Sequence, residues 1–286
     1  MKSHSTFLFA YVGIMACALC AAWWYIGASS QPLPHAYFFS VGQADASLVR
    51  ADGVQVLIDA GKDGAIIDAL DAVMPFLRRR IDMVIISHAE EDHIGGLMDV
   101  VRYYDVGCVV FNGQETPLWK HVRQTLDDLR IPVISLAAGD KIRFGSSVFS
   151  AIWPVRDSTQ EGFPASQTND NSLAVYFSRR QFSILFPGDI SDVIEKRLLA
   201  QGLLSHAQVL KVPHHGSKYS SSAAFLAAVS PVWAIIEVGK NSYGHPTQET
   251  LARLTEIGAR MFRTDTDGTI QVVSRDGVMK LLTTSL

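Results

Sequence analysis

The chain has 286 residues, 48% hydrophobic and 19% charged, which is enough apolar content for a substantial core and too much for a disordered chain. A formal net charge of −3 excludes a global basic field of the kind that holds nucleic acid by charge alone. Of three cysteines, Cys17 and Cys20 lie in an apolar N-terminal stretch, so Cys108 has no partner for an internal disulfide.

In chain order, residues 1–30 stand apart. Lys2 is their only Lys, Arg, Asp or Glu, and Phe7 to Gly27 is almost wholly apolar, with Trp23, Trp24 and Tyr25 near its end. A cleaved signal peptide has an apolar core of roughly 7 to 15 residues, whereas about 20 cross a bilayer, and aromatic residues suit the membrane interface. We read the segment as a signal anchor, with cleavage as a signal peptide near Ala28-Ser29-Ser30 as the alternative. With Lys2 inside and no further formal charge until Asp45, the rest of the chain is expected outside the cytoplasm. It is membrane-anchored in the first case and secreted or periplasmic in the second. Residues 31–35 read as a linker and 36–286 as one domain.

Within that domain, strand-like runs cover Tyr37 to Val41, Ser47 to Arg50, Val54 to Asp59, Met83 to Ser87 and Cys108 to Phe111. Helical spacing covers Ile66 to Leu77, Ile94 to Tyr104 and Leu118 to Leu129. The basic run Arg78-Arg79-Arg80 reads as a solvated helix end. The second half repeats the plan, with strands at Ser147 to Trp153, Leu173 to Phe177, Phe182 to Phe186, Val209 to Val212 and Val232 to Val238. Its helices are Asp192 to Ala200, Ala223 to Val229 and Gln248 to Ile257, and the polar loop Arg156 to Asn171 is the longest irregular stretch. Hairpins followed by β-α units in each half predict an α+β fold of two mixed sheets packed face to face, with helices outside.

Four segments carry chemistry, and each follows a predicted strand. The first, Ser87-His88-Ala89-Glu90-Glu91-Asp92-His93-Ile94-Gly95-Gly96, puts two imidazoles and several carboxylates on one turn. Taken alone it also reads as a polar loop in which Asp92 caps a helix. The second, Phe186-Pro187-Gly188-Asp189, ends a strand on a carboxylate, and the third, Val212-Pro213-His214-His215-Gly216-Ser217, ends one on adjacent histidines. The fourth is Asn241-Ser242-Tyr243-Gly244-His245-Pro246. Strand ends share one edge of a layered fold, so these groups are expected to converge and to supply ligands for two divalent ions. His4, His35, His121 and His206 fit no such pattern and read as structural or exposed.

These motifs resemble the metallo-β-lactamase fold superfamily. More narrowly, Val41-Gly42-Gln43-Ala44-Asp45, Asp92-His93-Ile94-Gly95-Gly96, Asn171-Ser172-Leu173 and the later His-His-Gly-Ser and Tyr-Gly-His-Pro pieces resemble the C-terminal hydrolase domain of ComEC-type competence proteins. The likeness runs over about residues 36 to 273 and implies an αββα four-layer sandwich. It departs at Glu90, where many members have histidine and the ComEC-like group often aspartate. Ser40 and Ala44 also differ from the family's early motif. The many-span channel of full ComEC proteins has no counterpart, so this chain alone is not expected to import DNA.

The resemblance implies that Asp92, His93 and His215 hold one ion, that His88 and Glu90 hold a second, poorer-served ion, and that Asp189 bridges them. Asn171 would lie near the second. Zinc ranks first and manganese second, because a carboxylate in place of histidine hardens the donor set. Asp92, His214 and His245 are the catalytic candidates, while Asn171, Lys211, Ser217 and His245 would bind substrate. For Lys211 a plain solvent-facing lysine is the alternative, and for Ser217 a helix cap. The implied activity is hydrolysis of a phosphodiester, with DNA favoured. Partners would be that substrate, the membrane through the N-terminal segment, and DNA-uptake machinery. A hydrolase of another ester (a phosphorylated envelope component, less so a lactam) and a non-catalytic, metal-stabilised DNA-uptake protein are the alternatives.

Overall fold

The computed structural model describes residues 13, 15, 17–20, 33–74, 79–156, 168–275 and 278–284. Met1–Leu33 and Pro34–Leu286 separate into two units. In the first, the described residues are helical up to Cys20, and most of the stretch read as an anchor lies outside the described residues. No helix among the described residues is long and apolar enough to cross a membrane.

The second unit is built on two sheets. The runs that read as uninterrupted apolar strands are buried on both faces. Met83 and Ile85 enter the core between the sheets, while Val84 and Ile86 enter the core beneath the helices that cover the first sheet. Ile184 and Phe186 likewise face inward and Leu185 outward, under the second sheet's helices. The period of two thus divides the runs 83–86 and 184–186 between two cores, which is why no polar residue interrupts them. Phe38 of the first sheet stacks on Phe186 of the second, with ring centroids 6.0 Å apart.

In spatial order the first sheet runs Val278–Thr283, Ile270–Arg275, His35–Phe38, Ser47–Ala51, Val54–Ile58, Met83–Ile85, Val109–Phe111 and Val133–Ser135. From Val54–Ile58 onward its pairings are parallel. The second runs Arg260–Arg263, Trp233–Ile236, Val209–Lys211, Phe182–Phe186, Ala174–Arg179, Ser147–Trp153 and Lys141–Phe144, parallel over its first four strands. Arg80–Ile81 and Asp105–Val106 form a small parallel pair.

Helices Ala65–Val73, Leu97–Tyr103 and Pro117–Asp128 bury Ile66, Leu70, Leu97, Val100, Trp119, Val122 and Leu126 against the first sheet. Asp192–Ala200, Ala223–Val229 and Gln248–Glu256 cover the second through Ile194, Leu198, Phe225, Leu226, Val229 and Leu254. This is the expected order of layers: helices, sheet, sheet, helices.

The helix expected over Ile94 to Tyr104 is instead two pieces, Glu91–Ile94 and Leu97–Tyr103, broken at Gly95-Gly96. The chain after the Val54–Ile58 strand presses on this point. A Cβ on Gly95 would collide with the Lys62 carbonyl, and one on Gly96 with that of Ala60. Ala60 N–H donates to His93 O at 2.7 Å, and Gly96 N–H to Gly61 O at 3.1 Å. The two glycines let the loop that bears His93 lie directly on its neighbour, which fixes the histidine's position.

Candidate metal centre

The parallel strands of both sheets deliver their carboxyl ends to one edge, as open α/β sheets do at their binding crevices. Asp59 follows Val54–Ile58, His88 and His93 follow Met83–Ile85, Asp189 follows Phe182–Phe186, and His214 and His215 follow Val209–Lys211. Candidate donor atoms fall within 4.8 Å of one another in three groups: His88, His93 and Asp189; Asp92, His93 and His215; and Asp45, Asp59 and His93.

Hydrogen bonding at the far side of each imidazole determines what the near side can do. His93 Nδ1–H donates to Asp59 Oδ2 at 2.9 Å, which turns Nε2 toward Asp189 Oδ2, 3.4 Å away. His215 Nδ1–H donates to the Glu237 carbonyl at 2.8 Å, leaving Nε2 3.3 Å from Asp92 Oδ2 and 3.8 Å from Asp189 Oδ2. Ser87 Oγ gives its proton to Asp59 at 2.8 Å, so its 3.0 Å contact with His88 Nδ1 runs from ring N–H to hydroxyl oxygen. Nε2 is then the atom each ring can offer to a metal once any proton on it is displaced, and those of His88 and His93 are buried without a hydrogen-bond partner. These nitrogens and the Asp92 and Asp189 carboxylates fall into two overlapping groups, a concentration of donors that positive charge must offset. Tautomer-fixing partners behind imidazole ligands are the usual support of a metal site. The donor set of nitrogens and carboxylate oxygens therefore fits a divalent ion.

The same demand for positive charge shows in the proton equilibria. Burial alone would lower the pKa of His93, but Asp189, Asp59 and Asp45 outweigh it and hold the ring protonated well above its usual range. His215, buried yet beside Asp45 and Asp189, is pushed up to about 10. For His88 burial and the neighbouring His93 outweigh the pull of Asp189 and Asp92, and its pKa is lowered to about 3. For Asp92, burial acts upward, but the hydrogen bond with His215 and the charge of His93 bring it down to about 2.

A pH dependence follows. His215 has its folded pKa above the ordinary 6.5, so its stabilisation of the metal-free protein is complete below about pH 6.5 and is lost as pH rises toward 10. Glu237, raised by burial and by Asp45 to about 8, costs stability increasingly between its ordinary 4.5 and 8. Both act in one direction. The melting temperature of chelator-treated protein is expected to fall between about pH 6.5 and 10. The increment produced by a divalent ion is expected to grow over the same window, because binding displaces imidazole protons. Thermal melts with and without Mn²⁺ or Zn²⁺ measure both trends.

The other expected residues are distributed as follows. His214 and His215 occupy consecutive left-handed conformations, at φ of 52° and 51°, a strain of order 1–3 kcal/mol each that recurs at functional sites. That turn directs His214 N–H to Asp189 Oδ1 at 3.1 Å. His245 stands edge-on to His214, with centroids 5.6 Å apart, and belongs to none of the donor groups. Glu90 also joins none: its carboxylate accepts a hydrogen bond from Thr168 Oγ1, so it does not share a donor group with His88.

Lys211 differs from both sequence readings. It is 2% exposed, with its ammonium ion-paired to Asp45 and 3.4 Å from Asp189 Oδ1, beneath the centre rather than on a substrate-facing surface. Ser217 is buried, its hydroxyl accepting from Tyr219 N–H, and the helix that follows is capped by Ser222 instead. Asn171 is buried in a short turn, and its carbonyl accepts from Asn112 Nδ2 at 2.6 Å.

Asp59, Asp45 and Glu237 are buried groups of the centre absent from the expected set. Asp59 was findable by the strand-end rule that finds Asp189. Glu237, a lone carboxylate inside the apolar run Val232 to Val238, was also marked in the sequence. Its Oε1 accepts from Ser47 Oγ at 3.0 Å, tying the second sheet to the first. Because Asp59 holds both His93 and Ser87, Asp59→Asn is expected to weaken divalent-ion binding roughly 10- to 100-fold with the protein still folded. Calorimetric titration with the metal alone measures this.

The sequence model described as the metallo-beta-lactamase superfamily matches residues 40–236. ComE operon protein 3 of Bacillus subtilis is 29% identical over 81% of this chain and 32% of its own length. Competence protein ComA of Neisseria gonorrhoeae is 28% identical over 84% of this chain and 32% of its own length. The chain thus spans about a third of these curated relatives. Among solved structures, the metallo-beta-lactamase fold protein YhfI from Bacillus subtilis superposes with a TM-score of 0.55 at 11% identity, over 84% of this chain and all of that one. The chain belongs to the metallo-beta-lactamase superfamily of metal-dependent hydrolases and is ComEC-like within it.

Proposed function

We propose that the protein is a phosphodiesterase that cleaves DNA outside the cytoplasm, using two unequal divalent ions, zinc or manganese. The observation that carries this reading is the convergence of the His88, His93 and His215 Nε2 atoms on Asp92 and Asp189, with every Nδ1 already bonded behind them. Asp92, His93, His215 and Asp189 would hold one ion, and His88, with the Asp189 carboxylate reaching both, would hold the other, poorer-served one. Divalent ions in such a site lower the pKa of coordinated water and offset charge developing on a phosphoryl centre.

The chain's own groups supply the rest. Asp189 Oδ1 is held by His214 N–H and Lys211 Nζ, which keeps Oδ2 toward His93 and His215. His214 and His245 are both partly exposed beside the centre, in reach of an entering substrate. Burial and the neighbouring His214 and His215 lower the His245 pKa, which favours its neutral ring. His214 or His245 is the proton donor in this reading, toward the departing oxygen.

The names of the competence relatives favour DNA over other phosphodiesters. The apolar N-terminal segment favours attachment to a membrane, with uptake machinery as partner. Hydrolysis of oligonucleotides by the purified full chain with Mn²⁺ or Zn²⁺ tests the activity, with a panel of other esters alongside. No turnover of any phosphodiester by metal-loaded protein, with DNA still retained, would make it a binding protein instead.

A further inference from the structure

Beside the centre, one largely exposed aromatic ring stands on a loop whose backbone is held firmly. Tyr243 is 74% exposed, the most exposed large apolar side chain among the described residues. A single exposed aromatic is ordinary, but its mounting here is not. The Asn241 side chain ties the loop on both sides of Tyr243. Its Oδ1 accepts from Tyr243 N–H at 3.1 Å and His245 N–H at 3.0 Å, and its Nδ2 donates to the Gly239 and His245 carbonyls, both at 2.8 Å. The base of the loop is anchored in turn. Gly239 N–H donates to Gln43 Oε1 at 3.1 Å, and a side chain at Gly239 would collide with the backbone of Gly42.

Rings lead inward from Tyr243. Its centroid is 5.8 Å from that of His245, tilted by 30°, and His245 is 5.6 Å from His214, whose N–H holds Asp189. Lys240, exposed three residues earlier, adds a cation at the same rim. An aromatic ring on an ordered loop next to a cation is how proteins hold single-stranded nucleic acid, with bases stacked on aromatics and phosphates met by charge. Because the loop is already ordered, little conformational entropy is lost on binding.

We propose that Tyr243 is a stacking platform for a nucleobase of the substrate, adjacent to the bond that is cut. This rests on the phosphodiesterase reading and narrows its substrate to nucleoside-bearing diesters. An aliphatic diester has no planar group to offer the ring.

The test compares an oligothymidylate with an abasic oligomer of equal length, which has the same backbone charge and no bases. Binding to the chelator-treated full chain is followed by fluorescence anisotropy. The wild-type protein is expected to prefer the base-bearing strand by roughly tenfold. Tyr243→Ala should abolish the preference by weakening only the oligothymidylate, and Tyr243→Phe should retain it. No wild-type preference, no binding of either strand, or an equal loss of both in Tyr243→Ala would overturn the assignment. Adding Mn²⁺ to the wild-type protein tests the activity separately: failure to cut either strand would refute the phosphodiesterase reading, while the binding preference still reports on Tyr243.

Discussion

His93→Ala is expected to weaken divalent-ion binding more than about 100-fold and to remove hydrolysis with it, exceeding the 10- to 100-fold cost of losing a supporting group. His93 contributes to all three donor groups, and its Nε2 faces Asp189 at 3.4 Å from a ring locked by Asp59. Its loss removes a buried nitrogen donor that both halves of the centre share as a neighbour. Glu90→Gln should cost less than about tenfold, because Glu90 lies in no donor group and its carboxylate is engaged by Thr168. Competition against a chromophoric chelator ranks the two variants. A larger loss for Glu90 would overturn the geometry given for the His88 side of the centre.

Lys211→Met is expected to destabilise the protein by about 3–5 kcal/mol, the cost of leaving one partner of a buried ion pair uncompensated. Lys211 and Asp45 are 3% and 2% exposed at their side chains. Burial opposes the ammonium's charge, but Asp45, Asp189 and Glu237 outweigh it, so Lys211 stays protonated. Asp45→Asn combined with Lys211→Met removes both charges and should recover most of the lost stability, since a buried pair contributes little net against neutral replacements. Denaturant melts of the single and double variants measure the recovery. A single variant as stable as wild type would show the pair to be dispensable. Because Lys211 also contacts Asp189, metal affinity in the double variant should stay below wild type even where stability returns.

The candidate centre was legible where a candidate ligand directly follows a strand. His88, His93, Asp189, His214 and His215 all obey that rule, and the structure brings them to one edge. Asp59 obeys it too, but as a residue that orients a ligand it leaves no mark distinguishing it from an ordinary turn aspartate. Glu90 is the opposite case. Its place in HxExDH points to metal, whereas its partner is Thr168, 78 residues away. The strands that the sequence did not disclose lie toward the sheet margins. Val133–Ser135 and Lys141–Phe144 end their sheets and are partly exposed, and Val278–Thr283 is exposed along most of its length. With one face in water and one edge unpaired, such segments lack the continuous apolar signature of a central strand.

The sequence by itself determined the layers, the order of the central elements and the family, because apolar periodicity and short motifs are local properties. Only the tertiary structure decided the tautomer of each histidine, the commitment of Lys211 to Asp45, and the turning of Glu90 to Thr168. Those depend on which polar groups become neighbours when two sheets close on each other. Burial then makes each pairing obligatory, since an unpaired charge or donor in that interior costs more than the pairing itself contributes.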